Sequence, residues 1–379
     1  MKSKYLFLII LISLSCINKT ECQYKIDPRA FDNNEISLAE IADDISYIPL
    51  DNNIPIGDIV LAKFIKNSIY VKISNIGLVA FNRDGKIPRK IGSVGRGPGE
   101  YLYCTSFDVD EINETIYIKD MDEIIKVYSK NGNFLRSIPL KHFEPFHFND
   151  IELSNSNLFV FEYITMGRGK FNWLVLDTLG KLIKKKENSI PAFRSGMGAD
   201  GGTYKFGSKI YYWNMYNDTI FSISPDLSYK ASYIFPPGDY RMPRSPITDR
   251  TGYIVPRFIF ETNRYLMYEY FDGARFADAL IDKRSKKSFI NYLEPDHTGG
   301  IINNLDSGTK FRSISYFVEN GQEYLIGSVN AFQLKAYVAS DIFKNSVPKY
   351  PEKKKELEKM VNKLNETDNP ILMIVRLKR

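Results

Sequence analysis

The chain has 379 residues, of which 44% are apolar, 14% aromatic and 25% charged, with a formal charge of +6. An aromatic content this high excludes disorder along the whole chain, and a single short apolar run excludes a polytopic membrane protein. Three Cys cannot build a disulfide scaffold, and three His leave little for a histidine-rich metal site.

In chain order, residues 1–15 predict a secretory signal peptide. Lys2 and Lys4 precede an apolar stretch from Tyr5 to Leu14, too short to cross a hydrocarbon core of about 30 Å as a helix. Ser15 before Cys16 resembles a bacterial lipobox, which implies a diacylated Cys16 as the new N-terminus. Two places depart from that pattern: Ser13 stands where Leu is preferred, and Leu14 comes one place late. Ordinary cleavage further on, giving a soluble periplasmic protein, is the alternative. Residues 16–35 then read as the lipidated Cys and its tether. Cys22 and Cys104 either pair in an oxidising compartment or stay as free thiols.

Residues 36–379 carry an internal repeat. A β-rich core recurs at Ile69-Tyr70-Val71, Ile116-Tyr117-Ile118, Leu158-Phe159-Val160, Ile210-Tyr211-Tyr212, Tyr265-Leu266-Met267 and Tyr324-Leu325-Ile326. A second apolar run follows most cores, and turn clusters follow it, such as Asp84-Gly85 and Asn131-Gly132. Asp-Gly and Asn-Gly between β-rich runs signal hairpins, because these residues tolerate positive φ. A further strand precedes each core. The sum is an all-β, six-bladed β-propeller with four-stranded blades. Helical periodicity is absent before residue 339, which argues against helical solenoids. The ring must close so that no long sheet edge stays exposed. Ile45 to Leu50 and Pro370 to Leu377 lie outside the repeats and are expected to complete the last blade together. Between the sixth core and the final strand, Leu357, Met360, Val361 and Leu364 recur with helical spacing behind Pro351. They predict a small helical insertion over about 339–366.

The run Gly92-Ser93-Val94-Gly95-Arg96-Gly97-Pro98-Gly99-Glu100-Tyr101 resembles the NHL-type propeller repeat, and most of all the six-bladed NHL/TolB-like propeller lipoproteins of Bacteroidetes. Ile36 to Ile41 with Tyr47 to Leu50, Gly300 to Gly308 and Asp368 to Met373 fit the same group, so the resemblance spans roughly residues 36–378. It implies architecture and an outer-membrane location on the periplasmic or surface side. It brings no common catalytic residues. Only the first link between blades keeps the full Gly-rich form; the link at Gly196 to Gly202 differs.

Two loops supply candidate ligand contacts. In the first, Arg96 would grip a carboxylate, phosphate or sugar hydroxyl beside Glu100 and Tyr101; alternatively the loop is a connector in which Arg96 and Glu100 pair. In the second, Asn303 and Asp306 (with Asn304) either face the channel or form an Asx-type turn. His142, His147 and His297 are widely spaced, and no metal site or cofactor is expected. Hydrolase elbows and zinc-protease motifs are missing, so no catalytic residue is assigned. The expected function is that of a ligand-binding or protein-interaction scaffold for a glycan, peptide or envelope protein. The chain is expected to act as a monomer, held to the membrane only through its lipid. A channel-mouth enzyme of lyase, hydrolase or lactonase type is the rival; a convergent cluster of carboxylate, Asn or His groups in the channel would favour it. Residues 335–379 hold 11 basic and 6 acidic residues, whereas 16–334 sum to −1. The basic balance therefore belongs to the C-terminal part, and nucleic acid is not an expected partner.

Overall fold

Each of the six recurrent cores lies in the second strand of a four-stranded antiparallel blade, and in blades 1 to 5 the apolar run after it forms the third strand. The computed structural model describes residues 24–379 except 33, 75–76, 144–147, 163–168, 195–200 and 295–298. The expected signal peptide, Cys16, Cys22, His147, His297 and Gly196 to Asp200 therefore lie outside the described residues. Six sheets form the blades of a propeller. Their inner strands are Ile59–Ile65, Cys104–Asp110, Phe148–Ser154, Gly201–Phe206, Val255–Glu261 and Ser315–Glu319, in blades 1 to 6. The turns at Gly85 and Gly132 take φ of 79° and 85°, which glycine adopts without the strain a Cβ would bring.

Both ends of the chain build blade 6. Outward from the axis its strands are Ser315–Glu319, Gln322–Val329, Ile371–Leu377 and Ala42–Pro49. Ile45 pairs with Val375 and Tyr47 with Met373. A further short strand, Tyr24–Lys25, adds in parallel to the outer edge of blade 4, and Ile26 is buried there. Part of the expected tether is thus packed on the ring.

Aromatic pairs bridge most neighbouring blades. Tyr70 meets Phe107, Phe161 meets Tyr212, Phe235 meets Tyr268, and Phe260 stacks on Tyr316 at 5.5 Å. The closing interface of blades 6 and 1 stacks Phe317 on Phe64 at 4.4 Å, with the Arg83 guanidinium over both rings. Such pairs contribute about 0.5–1.5 kcal/mol each beyond their buried area. Between blades 2 and 3, Tyr117 and Phe171 share a cluster with Ile125, Val127 and Leu158.

Helical structure begins earlier than the apolar periodicity indicates. Ala331–Ala339 and Asp341–Asn345 precede Pro351–Val361, so the insertion starts at Ala331 and not near 339. The first helix buries Ala331, Leu334 and Val338, but exposed Phe332 and part-buried Tyr337 fall off that face and blur the period. Pro351 occupies the first turn of the last helix, as expected, and Leu357 and Val361 are buried.

Asn369, just before the last strand, fastens the ring. Its Nδ2 donates to Asp51 O (2.7 Å) and Ile54 O (2.8 Å), and its Oδ1 accepts from Ile56 N (2.9 Å). These bonds tie the segment between blade 6's outer strand and blade 1 to the C-terminal strand. Asn369→Ala is expected to cost about 3 kcal/mol, because it strands three backbone groups at a buried position. Thermal or urea unfolding checks this; a loss within about 0.5 kcal/mol, the usual range for surface substitutions, would deny Asn369 that role.

Candidate functional site

In an antiparallel blade the link from one blade to the next and the loop between the second and third strands emerge on the same face. That link face carries both candidate loops. In the first loop Glu100 folds back on its own backbone: Oε2 accepts from Gly97 N at 2.7 Å and Oε1 from Ser93 Oγ at 3.3 Å. Tyr101 is buried, donating to Ile91 O (3.0 Å) and accepting from Leu78 N (3.1 Å). A Cβ at Gly77 would collide with the Tyr101 hydroxyl. Arg96 is exposed, and Glu100 does not pair with it.

In the second loop Asn303 and Asp306 come together but turn inward. Asp306 Oδ1 accepts from Asn303 Nδ2 (2.7 Å) and Gly308 N (2.8 Å), and Tyr47 of the N-terminal strand approaches Asn303 at 3.4 Å. Burial raises the Asp306 pKa despite these bonds. Asn304 Oδ1 accepts from Ala39 N at 2.9 Å. The loop is a seam between blade 6 and the start of the ring, about the turn its Asn and Asp residues suggest. The two loops stand in different links, after blades 1 and 5.

At the axis lies a charged network that the sequence reading did not identify. Lys63, Asp108, Glu152 and Lys205 come from the inner strands of blades 1 to 4. Lys63 Nζ lies 3.2 Å from Asp108 Oδ1 and 3.7 Å from Glu152 Oε2, and Lys205 Nζ lies 3.4 Å from Glu152 Oε2 and pairs with Asp108. Thr203 Oγ1 donates to Glu152 Oε1 and Asp150 Oδ2, each at 3.0 Å. Burial opposes the charge on Asp108, but Lys205 and Lys63 outweigh it and hold that carboxyl below its usual range. Burial raises the Glu152 pKa against the pull of the same lysines. Tyr316 of blade 6 donates to Lys205 O on blade 4 and adds a further tie across the axis. Each charged residue is the fifth of its inner strand, a regularity visible in the sequence once those strands are aligned.

A groove of about 740 Å³ opens on the link face beside blades 6 and 1. The helix Ala331–Ala339 forms one wall. Asn330, Gln333 and Tyr337 are three and four residues apart, so they share one helical face and line the groove, while Ala331, Leu334 and Val338 pack inward. The opposite side includes Asp58 and Val60, and Lys310 and Arg312 belong to the blade 5–6 link. Arg312 Nε and Nη2 donate to Glu269 Oε2 at 2.9 and 2.6 Å. Glu269 stands directly opposite Asp278, which stands opposite Asn291. All three are buried, and Asp278 Oδ2 has no hydrogen-bond partner among the described residues. Burial, with Glu269 adding repulsion, pushes the Asp278 pKa up to about 8 against the pull of Arg312. Asp278 is therefore a neutral acid at neutral pH, beside a carboxylate neutralised by Arg312. Among the described residues no cluster of three His, Cys, Asp or Glu could hold a metal ion. Among the described residues Cys104 is buried and makes no disulfide, and burial pushes its thiol up to about 12.

A family model described as "Domain of unknown function (DUF4934)" matches residues 23–376. The fold is similar to that of a Bacteroides fragilis protein described as "Putative exported protein", with 21% identity, 94% of this chain and 99% of that chain covered, and a TM-score of 0.65. A member of the DUF4221 family from Bacteroides vulgatus is also similar, at 9% identity, with 92% and 99% of the two chains covered and a TM-score of 0.48. No protein of curated function matches.

The Asp278 geometry predicts a pH dependence. A raised folded-state pKa gives stability that is full below the ordinary carboxyl value of 3.8 and is lost as pH rises to about 8. Asp278→Asn keeps the neutral form at every pH. Its stability relative to the parent should rise by roughly 2–4 kcal/mol between pH 5 and pH 8.5. Urea unfolding at both pH values measures this, and a constant difference would refute a neutral Asp278.

Proposed function

The chain belongs to the DUF4934 family, and we propose that it is an exported, lipid-anchored propeller that binds a polar ligand, a glycan or peptide, in the groove of its link face. The carrying observation is the contrast between that groove and the axis. The groove is open, and its helix wall offers the uncharged hydrogen-bonding side chains Asn330, Gln333 and Tyr337, whereas the convergent carboxylates at the axis are taken up by Lys63 and Lys205. Propellers suit such a role because their loops gather on a rigid ring. Arg96, exposed on the same face, is available to a larger partner. Export is supported by the apolar run behind Lys2 and Lys4 and by the description of the Bacteroides fragilis neighbour. Anchoring through Cys16 is supported by the lipobox-like Ser15-Cys16. The protein would act as a monomer and without nucleic acid.

Glu269 and Asp278 favour the rival reading as an enzyme, since a neutral acid beside a carboxylate is the pairing that acid–base chemistry uses. Asp278 is only 6% exposed and does not line the groove, so a substrate in the groove would not reach it. Binding is the better account. Labelled palmitate should enter the parent protein and not Cys16→Ala, which should move to the soluble fraction. Unchanged membrane association of the variant would overturn the anchor, and turnover of any bound ligand would overturn the binding role.

A further inference from the structure

Resting on the groove as a binding site, we infer that its ligand is an uncharged saccharide, read by Gln333 and Ser328 and stacked on Tyr337. Among the described lining residues the charges cancel, with Asp58 and Glu294 against Lys310 and Arg312. Two of the four are also committed, since Asp58 Oδ1 accepts from Asn330 Nδ2 at 3.1 Å and Arg312 is held by Glu269. A polyanion would meet the two carboxylates, and a polycation the two bases, so neither gains from the local field.

The uncharged groups remain. The side chains of Gln333 and Ser328 and the Tyr337 hydroxyl make no hydrogen bond within the protein among the described residues. Each both donates and accepts, as the hydroxyls of a sugar do. Helical spacing sets Gln333 and Tyr337 one turn apart on the same wall, so a ring lying along Tyr337 presents its hydroxyl edge to Gln333. Tyr337 is itself steadied, edge-on, against Phe343 at 6.1 Å. Peptides draw instead on an open strand edge or an apolar groove. The outward edges of the strand ends that reach this groove are already paired, Ile59 with Ile73 and Val329 with Ile371.

The test is calorimetric titration of the full-length protein, in detergent, with short neutral gluco-, manno- and xylo-oligosaccharides, an oligogalacturonate and an uncharged peptide. At least one neutral oligosaccharide should bind in preference to the other two classes. Gln333→Ala should weaken it by about tenfold, the loss of one well-made hydrogen bond, and Tyr337→Phe should weaken it less, because the ring remains. Neither variant should shift the melting temperature, since the Gln333 side chain and the Tyr337 hydroxyl make no contact that the fold needs. Preference for oligogalacturonate or peptide, absence of neutral-sugar binding, or binding indifferent to Gln333→Ala would each overturn the inference. Peptide binding that Gln333→Ala weakens would do so while leaving the groove as a binding site, and turnover of a bound sugar would strike the non-catalytic reading alone.

Discussion

The structure depends on closure of a ring from two ends of one chain. A propeller blade cannot bury both of its faces alone, so every blade leans on two neighbours, and a ring with one unpaired joint would expose two faces and a strand edge. Here the joint is made inside blade 6. The strand Ala42–Pro49 lies outside Ile371–Leu377, and the pairing runs from Ala42 with Leu377 to Pro49 with Ile371. Asn369 locks the start of that pairing, Phe64 stacks on Phe317 beside it, and Arg376 adds a bond to Asp43 at 2.7 Å. Joining residues some 330 apart has a large entropic cost, but loop-closure entropy grows only slowly with length. The apolar side chains buried at the joint offset it.

The candidate site inherits this constraint. The groove lies between residues of blade 1, such as Asp58 and Val60, and residues of blade 6 and its insertion, such as Ser328, Gln333 and Tyr337. Neither wall exists as a groove until the ring is shut. The helical insertion sits between the second and third strands of the closing blade, which places it on the link face at the joint. Closure and recognition are therefore parts of one structure, and the charged axis supports both by joining blades 1 to 4 through Lys63, Asp108, Glu152 and Lys205.

Much of this architecture was legible in the sequence, for local reasons. Asp84-Gly85 and Asn131-Gly132 fix hairpins by their own backbone preferences, and trios such as Ile116-Tyr117-Ile118 declare buried strands by side-chain type. The two terminal strands were recognisable because they lay outside the repeat. What escaped depends on contacts that sequence spacing hides. Lys205 and Asp108 are 97 residues apart and meet only because the ring brings their strands together. Asp278 looks like any strand carboxylate until Glu269 is placed directly opposite it and water is removed. The groove wall escaped because Ala331–Ala339 buries small Ala331 and exposes Phe332, which weakens the period that marks a helix. Asn303 and Asp306 stand together in the sequence, yet their bonds run to Gly308 and to each other, with Tyr47 of the N-terminal strand beside them.

Hydrogen exchange resolved by residue tests the dependence on closure most directly. If the joint is the constraint on which the fold rests, amides of Ala42–Pro49 and Ile371–Leu377 open only with the whole ring. They should then share the slowest exchange class with the second strands of blades 2 and 5, Thr115–Asp120 and Tyr265–Phe271. Faster exchange of the N-terminal strand alone, with the other blades still protected, would show that the ring stands without its joint and would contradict the account.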